Sequence, residues 1–160
     1  MEAWAPFFTA QLAASATLAG LLFVGVSLNL ARILANASLP NRALAGFYLL
    51  LAILVISSMM LLPGQSIAIA GVEILAATLL LWGAVTRLDI AALRRSEPMH
   101  RHYFVRHFLS FQVAVIPYLI GSVVLLTKGS VGLYWVAAAM VLSLVTAFLE
   151  AWIMLVEINR

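Results

Sequence analysis

No cysteine occurs in the 160 residues, so disulfides, thiolate metal sites and cysteine nucleophiles are excluded and the redox compartment is unreadable from cysteine usage. Charge is almost as scarce: Asp, Glu, Lys and Arg make up 9% of the chain, where a soluble domain carries roughly 25%. Low-complexity tracts, lipidation motifs and a convincing internal repeat are missing as well. What fills the space is apolar. Hydrophobic residues reach 65%, the composition of an integral membrane protein. The apolar runs consume most of the length, so residues 1–160 read as a single transmembrane domain with no separate soluble part.

A hydrocarbon core about 30 Å thick needs about 20 apolar residues of helix. Uncharged or nearly uncharged stretches of that length predict five spans, at about 7–33, 43–62, 67–86, 103–126 and 131–158. Ser38-Leu39-Pro40-Asn41 reads as the turn after the first, Leu62-Pro63-Gly64-Gln65-Ser66 as a tight hairpin, and Lys128-Gly129-Ser130 as the join between the last two. Because the runs are continuously apolar, an all-α bundle is expected; barrel strands would alternate over about 10 residues. An odd span number also argues against two inverted halves in one chain, the frequent plan of secondary transporters.

With five spans the loops alternate sides. Arg32, Arg42, Arg87, Arg94, Arg95, Arg101, Arg106 and Arg160 then fall on one side, against Lys128 on the other. The positive-inside rule places the N-terminus outside and the C-terminus in the cytoplasm. Ala35-Asn36-Ala37 imitates a signal-peptidase site, but the positive charge follows the apolar stretch and the stretch is too long, so the first span reads as retained.

Acids inside spans require a partner, a proton or a function. Glu150 lies in the inner half of the fifth span. At about 100° per residue, Ala139, Ser143, Thr146, Glu150 and Glu157 share one small and polar face. That face suits a water-filled cation or proton path, and equally a close helix contact in which Glu150 makes an interhelical hydrogen bond. Glu73 lies about two turns into the third span, either as part of such a path or snorkelling outward, with Lys128 as a possible neighbour. On the first span Gln11, Ser15, Leu22, Gly25, Asn29 and Arg32 follow helical spacing, and Ala16 and Gly20 form a small-xxx-small pair. Matching depths predict that the first and fifth helices lie side by side, with Arg32 paired to Glu157 and Asn29 near Glu150.

Gln112, Pro117, Gly121 and Ser122 mark the fourth span as a place for a kink and a close neighbour. Between Arg87 and His107 the arginines, among them Arg94, Arg95, Arg101 and Arg106, outnumber Asp89 and Glu97 and would attract anionic lipid headgroups. His100, His102 and His107 are interleaved with cations that repel a metal. The short basic loop serves topology, so no nucleic-acid partner is expected. No catalytic constellation, phosphate loop or haem histidine pair points to an enzyme or to a cofactor.

Gly20 to Leu34, GLLFVGVSLNLARIL, and Ala151 to Arg160, AWIMLVEINR, resemble small multi-pass membrane proteins of bacteria, mostly uncharacterised. The likeness covers the first helix and the end of the last; it implies a bacterial inner-membrane protein and contributes no activity. Two functions are therefore carried forward. One is a homo-oligomeric ion or proton conductor whose walls come from several copies; the other is a non-catalytic accessory or assembly subunit of a larger membrane complex. Exchanging Arg32 and Glu157 is expected to rescue the two single charge reversals, read as protein accumulating in the membrane. Absence of rescue removes that pair.

Overall fold

The computed structural model describes residues 2–35, 39–95 and 101–157, with side chains for 2–35, 39–90 and 108–153. Every element in them is helical. A 3-10 turn, Glu2–Trp4, enters α1 (Ala5–Leu28), followed by α2 (Leu30–Ala35), α3 (Leu39–Met60), α4 (Ile67–Arg95) and α5 (Arg101–Lys128). A second 3-10 turn, Gly129–Val131, joins α5 to α6 (Gly132–Glu157). Among the described residues four helical stretches are long and apolar enough to cross a membrane: Glu2–Leu28, Leu39–Met60, Ile67–Ile90 and Phe108–Ile153. The last covers most of both α5 and α6.

Two boundaries differ from the hydropathy reading for local reasons. The first apolar run breaks at Asn29, whose Nδ2 donates to the Gly25 carbonyl at 3.0 Å while its backbone N–H goes to Val26. An asparagine side chain thus competes with the helix for its own acceptors. Next, α3 begins at Leu39 rather than Ala43, because Pro40 sits in the first turn, where its missing N–H costs nothing. Pro117 lies inside α5, which continues past it.

Four helices close a ring: α3 packs on α4 and α6, and α5 packs on the same two. Outside this ring α1 leans chiefly on α3 and touches α6 only lightly. The expected side-by-side packing of first and last helices is thus corrected. An apolar groove separates them, floored by Leu50 of α3 and edged by Gly25 and Ala147.

In lipid, helices gain nothing by hiding apolar surface from each other, so close approach through small residues has to hold them. A Cβ built on Gly132 would lie 2.5 Å from the Leu125 nitrogen and 2.6 Å from the Gly121 oxygen, so α5 and α6 touch backbone to backbone. Gly71 at the start of α4 meets Leu125 and Leu126 near the end of α5. The α3–α4 turn and the α5–α6 turn therefore share one end of the bundle, and each uses a glycine with positive φ, Gly64 (72°) and Gly129 (66°). Trp4 stacks edge-on against Tyr134 at 5.0 Å, which brings the start of α1 to the same end.

The core has two parts. Near the turns Phe8, Ile56, Met60, Ile74, Tyr118 and Leu133 pack together. At the opposite end Ile33, Leu39, Ala43, Val85, Phe111 and Ala147 form the second cluster. Arg32, Arg42 and Arg87 all belong to this second end, and Lys128 to the first. Gly132→Ala is expected to lower stability by about 1–3 kcal/mol through overpacking. Gly20→Ala, with nothing within 4 Å of the added methyl, is expected not to lower it. Unfolding midpoints in detergent measure both, and equal losses would show that the α5–α6 contact is not special.

Candidate functional site

Arg42 sits in the first turn of α3 and Glu150 six residues beyond Leu144 on α6, two elements already pressed together by Ala43 and Ala147. Arg42 Nε donates to Glu150 Oε2 at 2.7 Å, with the side chains 15% and 8% exposed. An unpaired ion at such a place carries a large desolvation cost, whereas a short, charge-assisted contact offsets it. The pair ties the ring together across 108 residues of sequence. Asp89, also buried, lies one helical turn beyond Val85 on the same face of α4 and so belongs to the same end of the core.

Halfway along the bundle the polar groups change from charges to hydroxyls. Tyr118 and Ser143 are fully buried. The tyrosine hydroxyl faces Ser143, although neither oxygen reaches a partner in good hydrogen-bond geometry. Thr78 on α4 lies at the same level, buried and with its hydroxyl unpartnered. Nearer the membrane-facing side, Trp82 Nε1 donates to Gln112 Oε1 at 2.7 Å and clips α4 to α5.

Toward the turns, Gln65 Nε2 donates to Glu73 Oε2. Glu73 is half-buried, and its observed partner is this amide rather than Lys128. The amide leaves its own Oε1 buried without a donor.

The helical spacing of Ala139, Ser143 and Glu150 does place them on one buried face, with Thr146 half-buried beside them. That face looks into the packed ring. Asn29 spends its amide on Gly25 at the α1 break, and the partner of Glu150 is Arg42 instead. Arg32 is exposed on α2. The side chains of Glu157, Arg94, Arg95, Arg101 and Arg106 lie outside the described residues, as do those of His100, His102 and His107. Arg42, Gln65, Thr78 and Tyr118 were not singled out by sequence reasoning as site residues. The usable signal for Arg42 is its depth, which matches that of Glu150 once α3 is started at Leu39. Among the described residues no group of three His, Cys, Asp or Glu side chains is placed to hold a metal.

Comparison with protein-family models, curated proteins and solved structures gives no match, so the site has to be read from its own geometry.

Removing one partner of a buried ion pair strands the other. Arg42→Met is expected to destabilise the protein by about 3–5 kcal/mol. Arg42→Met combined with Glu150→Leu is expected to recover most of that loss, measured as the unfolding midpoint in detergent. A double variant no more stable than the single one would show that α3 and α6 do not depend on the pair.

Proposed function

We propose that the protein is a non-catalytic accessory or assembly subunit of a larger complex in the bacterial inner membrane. The observation that carries this reading is the Arg42–Glu150 contact. The acid that best suited an ion path is held by a cation inside one copy, and the small polar face around it is consumed by helix packing. A conducting route would need that face open to water.

The proposed topology has five spans, with the N-terminus outside and the C-terminus cytoplasmic. Phe108–Ile153 contains 46 residues, roughly 70 Å of helix and so about twice the thickness of the hydrocarbon core. It folds back at Gly129, which supports counting it as two crossings. Segregation of Arg32, Arg42 and Arg87 from Lys128 supports the orientation.

For docking, α1 offers the suitable surface. Ala13, Ala16, Thr17, Gly20 and Ser27 are exposed on it at helical spacing, and the space around Gly20 is open. Small residues of this kind let a second backbone come close. Purification from native membranes in mild detergent is expected to bring down a stoichiometric membrane partner, and Gly20→Phe is expected to release it while leaving the unfolding midpoint unchanged. In liposomes, proton and cation flux is expected to equal that of empty vesicles. Flux above background that disappears in Glu150→Gln would overturn the reading in favour of conduction.

A further inference from the structure

A cavity of about 520 Å³ opens between α3 and α4, within the range of roughly 300–1,000 Å³ typical of small-molecule sites. It follows one face of each helix, from Met59 and Glu73 near the turn to Tyr48 and Ala84. Eleven residues on either helix separate those ends, a length of roughly 16 Å. Its edges, Leu51 and Leu80, are exposed, so it opens toward the surrounding lipid. Ala52 and Ala77 provide the width. Apart from Glu73 and the hydroxyl-bearing Thr78, Tyr48 and Tyr118 the lining is hydrocarbon, which suits a chain rather than water.

The Glu73 end has a specific shortage. Glu73 takes one hydrogen bond from Gln65, and a carboxyl group has further acceptor sites. Gln65 Oε1, beside it, is buried and has no donor at all. One buried acceptor therefore lacks a donor, beside a carboxyl group with acceptor capacity to spare. A primary ammonium supplies three N–H donors and the complementary charge. Five residues deeper on α4, Thr78 lines the same cavity with a buried, unpartnered hydroxyl, placed roughly 7.5 Å further along the helix. A hydroxyl there can donate to an ester oxygen.

We propose that this groove binds one aminolipid, its primary ammonium between Glu73 and Gln65, its oxygen-bearing linkage beside Thr78 and an acyl chain laid along Ala77 toward Tyr48. The proposal goes beyond the subunit reading and does not rest on it. Protein purified in detergent and exchanged against phosphatidylethanolamine, phosphatidylcholine or phosphatidylglycerol of identical chains is weighed by native mass spectrometry. Phosphatidylethanolamine is expected to be retained about tenfold more than the other two, equivalent to about 1.4 kcal/mol. Phosphatidylcholine is the sharp control, since its quaternary ammonium keeps the charge and has no N–H. Glu73→Leu is expected to abolish the preference while chains still bind, and Ala77→Phe to remove binding of every lipid at this site. Equal retention of the three lipids by the wild type, which requires no substitution, would reduce the groove to ordinary lipid contact and overturn the proposal. Cross-links through Leu80 to a second copy of the chain, with no lipid retained, would overturn it as well.

Discussion

A charge in hydrocarbon has to find its counter-charge inside the protein, and the rest of this bundle is arranged around that requirement. Arg42 meets Glu150 only if the first turn of α3 lies against the second half of α6. Once those helices are joined, α4 and α5 close the ring from the other side, and α1 is left to lean on its outside. The pair is therefore a constraint on topology as much as an interaction. It fixes which helix is central.

Polar groups occur at three levels along the bundle, and each level solves the same problem differently. Charges pair at the arginine end, hydroxyls face each other halfway, and an amide grips a carboxyl near the turns. Only at the first does a charge meet its counter-charge. At the other two, Thr78 and Gln65 keep buried atoms without partners, and both sit on the α3–α4 side, where the packing is loosest. Two of the buried unsatisfied groups thus lie beside empty volume. In a fold otherwise held by close contact, that coincidence marks the place to look for a bound molecule.

Much of the architecture was legible because hydropathy is a strong signal over runs of this length. The helical character, the turn at Pro63-Gly64 and the join at Gly129 all follow from where polar and left-handed residues interrupt apolar ones. Helical spacing likewise put Ser143 and Glu150 on one face, since that property belongs to a single helix. What escaped were relations between helices. Arg42 reads as a charge at the edge of a loop while Ser38-Leu39-Pro40-Asn41 is a turn, whereas α3 already starts at Leu39 and takes Arg42 into its first turn. The break at Asn29 escaped because one polar residue barely lowers the mean hydropathy of a long apolar run, while its side-chain amide acts locally on the helix. Tyr118 was hidden beside Pro117, although a tyrosine at mid-span needs a polar neighbour.

The backbone contact between Gly121 and Gly132 bears on how the chain enters the bilayer. Its two helices are joined by three residues, with Lys128 as the nearest charge. The join carries one lysine, whereas the opposite end of the bundle carries Arg32, Arg42 and Arg87, so the hairpin tip is the part with the smaller cost of crossing hydrocarbon. Zipped by its glycines, the hairpin forms one close-packed unit that presents the α6 surface on which α3 packs. The Arg42–Glu150 bond joins that unit to α3, so it can form only where both parts of the ring are in place.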